Sequence, residues 1–404
     1  MYNVRAVTEN VWWVGGNDRR LPLFENIHPI PRGVSYNAYV LLDEKAVLFD
    51  TVDWSACRQF LENIEHVLSG RTLDYLVVDH VEPDHAASLQ EVLKRWPDVQ
   101  VVATAAAFKL LTQFNYHIAE DRRVVVKDGD SLSFGAHTVT FLTAPMVHWP
   151  EVMVSFDATA GILYSADAFG TFGALNGKLF DDELDFERDW LPDARRYYAN
   201  IVGKYGVQVQ TLLKKVAPLA DKIKFICALH GPVWRTNIGW YLDKYDKWSR
   251  YEPEEKGVLV IYGSMYGNTE AAADALCVKL TERGVREVAM YDASSTNVSQ
   301  LIAETFRLSH VVVAGPTYNG GVYPPILDYL EDAKGLFVQN RTFAVIENGS
   351  WGCALGRMVD KFVTEELKNC SVLPQKLTLA STLHDEQADS LDALADALCA
   401  AVKG

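Results

Sequence analysis

The sequence predicts a two-domain α/β protein, with two sheets and outer helices in the first domain and a doubly wound parallel sheet in the second. Three observations carry this expectation. At 404 residues the chain is long for one core and comfortable for two. The stretch "SRYEPEEKG" (249–257) is polar, charged and marked by Pro and Gly, as linkers are. Short strand-like runs crowd the region before it, whereas strand and helix alternate regularly after it. The domains are therefore expected at residues 1–250 and 257–404.

In the first region the strand-like runs are "VWWVGG", "SYNAYVLLDEKAVLFDTVD", "YLVVDH", "VQVVATA", "VVVKDGDSLSFGAHTVTFLTAP", "VMVSFDATAGILYSAD" and "KIKFICALHG". Pairs such as "VLLDEKAVLF" place a polar turn between two apolar halves and read as hairpins. Helical pattern follows several runs, as in "AASLQEVLKRW". Hairpins mixed with helices suit two helix-covered sheets better than one parallel sheet. After the linker, strand "GVLVIYG" leads to helix "TEAAADALCVKLTERG", and "REVAMYD" to "NVSQLIAETF". Strand "HVVVAGPT" leads to "PPILDYLEDAKG", "TFAVIENG" to "ALGRMVDKFVTEEL", and "LTLAST" to "DEQADSLDALADALCAAVKG". Consecutive βα units of this kind close into a parallel sheet. Neither an internal repeat nor a low-complexity tract is visible.

Composition narrows the function. Half the chain is apolar (49%) and 23% is charged, a globular balance. The net charge of −15 is shared by both regions, which argues against a nucleic-acid partner, since that needs a basic face. The six cysteines (Cys57, Cys227, Cys277, Cys353, Cys370, Cys399) form no C-x-x-C pair, so a metal site built on paired cysteines is not expected. Their scatter suits reduced thiols and a cytoplasmic protein. The start lacks a basic-then-apolar signal, and no apolar run reaches membrane-spanning length, so no membrane association is expected.

The densest chemical motif is "HVEPDH" (80–85), which ends the strand "YLVVDH". On extended backbone alternate residues point one way, so His80, Glu82 and Asp84 are expected to converge, with His85 opening the next helix. Such a cluster is costly without a positive charge among it. Three more candidate ligands stand at strand ends: His148 after "VTFLTAP", Asp167 after "GILYSA", and His230 before the turn-forming Gly231 and Pro232. Taken singly, each histidine reads as a packed or surface residue and Asp167 as a turn or cap. His66, His117, His310 and His384 are read as structural.

A second constellation follows the first strand after the linker. "YGSMYGNTE" offers Ser264, Met265, Tyr266, Gly267, Asn268 and Thr269 where a helix begins, a ready phosphate cradle. It lacks the lysine of the nucleoside-triphosphate loop, and the G-x-G-x-x-G dinucleotide pattern is absent. Two more loops end later strands: "GPTYNGG" (315–321), in which Pro316, Thr317, Tyr318, Asn319 and Gly320 are singled out, and "ENGSWGCALG" (347–356), in which Gly349, Ser350, Trp351, Gly352 and Cys353 are. Ligands of doubly wound folds bind at that carboxyl edge. Tyr318 or Trp351 could stack on a flat ring.

The order H-x-E-x-D-H, His, Asp, His resembles the metallo-β-lactamase fold, whose members mostly carry H-x-H-x-D-H and bind zinc. Glu82 in place of the second histidine is the pattern of the flavodiiron proteins. "SYNAYV", "FDTVD", "MVHWP", "SADAFG" and "YYANI" also look like that family, over nearly the whole chain. The resemblance implies a metallo-β-lactamase-like αββα sandwich followed by a flavodoxin-like sheet. It implies one iron on His80, Glu82 and His148, another on Asp84, His85 and His230, and Asp167 between them. Hard carboxylate ligands suit iron. Two ferrous ions, three carboxylates and one hydroxide sum to neutrality, whereas histidine at 82 would leave one positive charge. The loop at 264–269 resembles the one that takes the FMN phosphate in flavodoxin.

The implied activity is electron transfer from an external donor, rubredoxin in similar proteins, through FMN to two non-haem irons that reduce oxygen to water or nitric oxide to nitrous oxide. The family's assembly implies a head-to-tail homodimer or a dimer of dimers. Second-sphere groups choose between the gases, and residues 20–35, with His28, are candidates. Two other readings stand beside this one: a zinc or mixed-metal hydrolase with an attached flavodoxin-like module, and an electron carrier with a decayed first domain. Glu82 argues against the former, and a full set of ligand positions against the latter.

Overall fold

Two sheets stack in the first unit of the computed structural model, which describes residues 1–404. One sheet has seven strands in the order Arg5–Ala6, Val11–Trp13, Tyr39–Leu42, Ala46–Phe49, Tyr75–Val77, Gln100–Thr104, Arg123–Val126. The other has five: Ser131–Ser133, Thr138–Thr143, Met153–Asp157, Ile162–Tyr164, Phe225–Cys227. The expected hairpin closes through Asp43 to Lys45, pairing Leu42 with Ala46 and Tyr39 with Phe49. Strands Ala46–Phe49 and Met153–Asp157 are buried along their whole length, as sandwiched strands covered by helices must be. The sheets meet through Tyr164, which stacks on Phe49 at 3.8 Å and lies 5.7 Å from Tyr39. The run "VVVKDGDSLSF" crosses between them: Arg123–Val126 ends the first sheet and Ser131–Ser133 begins the second.

The chain divides into Met1–Tyr198 with Tyr205–Asp246, and Ala199–Lys204 with Lys247–Gly404. The division falls inside helix Ile238–Ser249, ahead of the polar stretch, whose end already belongs to strand Glu255–Tyr262.

The second unit has a sheet of five parallel strands in the order Glu287–Asp292, Glu255–Tyr262, Leu308–Tyr318, Thr342–Asn348, Ser371–Leu379, with a sixth, Gly321–Val322, antiparallel to the end of the third in that order. In chain order this is 2-1-3-4-5, with the crossover point between the first and third strands, where such sheets bind ligands. Helices Asn268–Glu282 and Ala388–Lys403 pack Leu276, Leu280, Leu394 and Leu398 against Val258, Val260, Val312 and Ile346. The doubly wound class is as expected. The last strand differs in place: it spans Ser371–Leu379, whereas the apolar pattern marks 377–382. Pro374 hides its start, and the pairing absorbs that proline by a register shift between Phe343 and Val345 on the neighbouring strand.

Candidate functional site

All seven expected ligand residues gather at one rim of the first unit. His80 Nε2 lies 3.2 Å from Glu82 Oε2 and 3.5 Å from Asp167 Oδ2. His148 Nε2 is 3.1 Å from each of those two oxygens. In a second group, Asp84 Oδ2 is 3.3 Å from His85 Nε2 and 3.2 Å from His230 Nε2. Asp167 Oδ1 completes it, 3.1 Å from His85 Nε2 and 3.6 Å from His230 Nε2. Asp167 therefore gives one oxygen to each group. Bonds of about 2.0–2.2 Å to a common ion set neighbouring ligand atoms about 3–3.5 Å apart, the spacing found here.

Local structure explains the division. His80 and Glu82 lie on the segment leaving strand Tyr75–Val77. Asp84 was expected to follow their alternation, but Pro83 starts a one-turn helix, Pro83–Ala86, with Glu82 at its N-cap. Proline suits that first position because its φ is already helical. The turn carries Asp84 away from Glu82 and sets it beside His85. His230 is placed by Gly231, whose φ is +78° and where a Cβ would come within 2.2 Å of Thr171.

The far sides of the imidazoles are also committed. His80 Nδ1 meets Glu151 Oε1 at 2.8 Å, and that oxygen accepts the Val81 N–H as well. His230 Nδ1 donates to the Ser35 carbonyl at 2.7 Å. With Nδ1 protonated, Nε2 of both rings offers its lone pair to the centre. Glu151 is a candidate functional residue that sequence reasoning missed; its only signal is its place after "MVHWP". Burial pushes the Asp167 carboxyl up, but His85, His80 and His148 outweigh it and hold it well below the usual range. Burial lowers His148, yet Asp167 and Glu82 prevail and push it up to about 9. Asp167 is thus an ionised carboxylate that favours positive charge beside it. Both carboxylate oxygens of Asp84 and Oδ1 of Asp167 are buried without a hydrogen bond, and His85 Nε2 faces His230 Nε2 at 3.1 Å. A metal pair would satisfy Asp84 Oδ2, Asp167 Oδ1 and the two Nε2 atoms at once.

Segment 20–35 does reach the centre, through Phe24, whose ring meets His230 edge-on at 5.5 Å. His28 is buried with Nδ1 unpartnered and Nε2 3.7 Å from Glu25. The Tyr197 hydroxyl is buried without a partner, its ring 5.5 Å from His230.

In the second unit a cleft of about 870 Å³ opens at the carboxyl ends of the strands. Ser264, Met265, Tyr266, Asn268 and Thr269 line it, with Pro316 to Gly320 and Gly349 to Cys353. Gly267 does not: it caps helix Asn268–Glu282 at φ +85°, and its N–H is given to Ser264 Oγ at 3.0 Å. Asn348, Ala354 and Ser381 also line the cleft and were missed. Asn348 Nδ2 donates to Thr269 Oγ1 and to the Ser381 carbonyl, tying two walls together.

Two families match the chain: residues 34–231 fit "ODP family beta lactamase" and residues 260–376 fit "Flavodoxin". The anaerobic nitric oxide reductase flavorubredoxin of Escherichia coli (strain K12 / DH10B) is 31% identical over 362 residues, covering 89% of this chain and 74% of that one. The chain belongs to the flavodiiron proteins. Among solved structures, the rubredoxin oxygen:oxidoreductase of Desulfovibrio gigas superposes with a TM-score of 0.90 at 28% identity, covering 99% of this chain and 98% of that one. The flavodiiron protein of Giardia intestinalis gives 0.91 at 25% identity, covering 100% and 98%. Like other flavodiiron proteins this chain is an oxidoreductase, and its cofactors are FMN and a non-haem diiron centre. No helix is long and apolar enough to cross a membrane.

Proposed function

We propose that this flavodiiron protein takes electrons from an external donor and reduces oxygen to water or nitric oxide to nitrous oxide at the rim site. The observation that carries the reading is the sharing of Asp167 between two clusters of imidazole and carboxylate. In this proposal His80, Glu82 and His148 would hold one iron, Asp84, His85 and His230 the other, and Asp167 would offer one oxygen to each. The flavin and the irons, when bound, supply the one-electron chemistry that side chains lack. Glu151 and the Ser35 carbonyl fix the His80 and His230 rings. Burial, above all, raises the Tyr197 hydroxyl well above its ordinary value, so it keeps its proton, and its ring lies 5.5 Å from His230.

The FMN phosphate is assigned to Ser264, Asn268 and Thr269 at the helix N-terminus, and the ring to the walls formed by Pro316 to Gly320 and Gly349 to Cys353. Rubredoxin is the proposed donor, on the strength of the named partner of the Desulfovibrio gigas relative. Trp351 and Tyr266, 97% and 89% exposed at the cleft's edge, support a head-to-tail homodimer or a dimer of dimers that covers them. Six free cysteines support a cytoplasmic setting.

Purified protein is expected to hold two irons and one FMN, and the anaerobically reduced form is expected to reoxidise on mixing with oxygen or with nitric oxide. Two zincs and no iron after growth with ample iron would overturn the redox reading. For the cradle, Ser264→Ala with Thr269→Val is expected to weaken FMN at least about tenfold, the scale of one lost charge-assisted hydrogen bond. Iron should be unaffected, and wild-type flavin affinity in that variant would show the phosphate to lie elsewhere.

A further inference from the structure

Glu347 stands at the end of strand Thr342–Asn348, just before the loop 349–354 that walls the cleft, and its side chain is only 4% exposed. Its Oε1 accepts from Lys376 Nζ at 2.6 Å and from Thr378 Oγ1 at 2.9 Å. Its Oε2 accepts from the Gly356 N–H at 2.9 Å, in the first turn of helix Leu355–Glu366. One carboxylate thus joins the strand before the loop, the helix after it and the neighbouring strand. Position 356 is fitted to this contact, since a Cβ there would lie 2.8 Å from Glu347 Oε2. The loop itself adds Ala354 N–H to Thr317 Oγ1 at 2.8 Å, and Ser350 Oγ accepts from Ser381 Oγ at 2.8 Å.

A buried charge is a poor device for stability alone, because apolar packing of similar volume does as well or better. Its advantage is directional: three donors converge on two oxygens and fix both ends of a six-residue loop. Burial works to raise the Glu347 carboxyl, but Lys376, the Gly356 N–H and Thr378 outweigh it and hold it ionised, below its ordinary value. We propose that Glu347 and Lys376 form a latch that positions residues 349–354 in their flavin-binding conformation. The latch rests on the reading of the cleft as the FMN site. Glu347 does not line the cleft, so it is a positioning residue that acts through the loop.

The chemistry of the pair gives a specific test. Glutamine at 347 has one acceptor and one NH2. Whichever way it turns, the NH2 faces either the Gly356 N–H or the Lys376 ammonium, donor against donor, and the half-exposed lysine escapes this only by giving up its bond to position 347. Removing the ammonium relieves the conflict: the glutamine oxygen accepts from Gly356 while its NH2 donates to Thr378 Oγ1. FMN rebinding to flavin-stripped, full-length protein is followed by quenching of flavin fluorescence. Glu347→Gln is expected to weaken FMN about tenfold, and Glu347→Gln with Lys376→Met to recover to within about threefold of wild type. A loss of general stability would not be repaired by a second substitution that removes another hydrogen bond. Equal affinity of Glu347→Gln and wild type overturns the latch, as does a double variant no better than the single one. If Glu347→Gln does not fold, the double variant decides: affinity near wild type supports the latch, and a tenfold loss overturns it. Wild-type protein that fails to rebind FMN overturns the flavin reading, and the latch with it.

Discussion

Asp167→Ala is expected to leave less than one iron per chain and to lower gas reduction at least about 100-fold, beyond the range seen when only an outer partner of a ligand is lost. Its two oxygens are the single element common to both ligand groups. Without them each group keeps two imidazoles and one carboxylate, and two dications share two negative charges instead of three. Uncompensated charge is costly at a site where His80, His85, His230 and Asp167 are almost wholly buried. Metal analysis beside oxygen and nitric oxide consumption checks this. Full iron with unchanged turnover would remove Asp167 from the bridging position.

The same variant tests assembly. Asp167→Ala with His80→Ala is expected to lack iron, and Ser264→Ala with Thr269→Val, stripped of its weakened flavin and assayed without added FMN, is confirmed flavin-free before mixing; each alone is expected to be inactive. Unfolded gently and reassembled together, half the dimers are mixed, each with one intact flavin–iron pair out of two. Activity should return to roughly a quarter of wild type if electrons cross between the chains of a two-fold dimer. A mixture that exchanges subunits but stays inactive would place flavin and irons of one chain in the same electron path.

The parts of this protein that were legible in the sequence are those where one physical requirement repeats. Strands such as Val258 to Ile261 and Val311 to Ala314 are buried on both faces and therefore appear as unbroken apolar runs. The residues proposed to hold metal were legible because carboxylates and imidazoles are dense in "HVEPDH" and recur at strand ends. Reading alternation through Asp84 failed because Pro83 turns the backbone into a helix there. Glu151, Asn348 and Ser381 were missed for a different reason. Each is a lone polar residue whose partner lies far along the chain: Glu151 meets His80, and Asn348 meets Thr269. No local spacing announces such pairs. The two-residue strands Leu23–Phe24 and His28–Pro29 are too short for any period to show.

Arg341 is another residue whose importance no pattern announces, and Arg341→Met is expected to cost about 3–5 kcal/mol of stability, the scale of breaking a buried charged network. Arg341 is 3% exposed and opens the strand "TFAVIENG" from the preceding turn. Its guanidinium donates to the carbonyls of Thr305 at 2.6 Å and Phe306 at 3.0 Å, in the last turn of helix Val298–Arg307. It also donates to the carbonyls of Tyr251 and Gln339, each at 2.8 Å. Carbonyls at a helix C-terminus have no partner within the helix and carry the negative end of its dipole, so a cation is the natural cap. Burial lowers the guanidinium to about 10, which still leaves it charged at neutral pH. Methionine keeps the stem's packing but donates nothing to those carbonyls. Lysine keeps the charge but not the planar fork, so it should recover only part of the loss. Denaturant titration followed by flavin release is the measurement, because it reports on the unit that holds Arg341. In Arg341→Met the release midpoint should move to lower denaturant while iron stays bound over the same range. A shift worth less than about 1 kcal/mol, the value of one ordinary hydrogen bond, would mean that water replaces the guanidinium and that the helix end needs no buried cation.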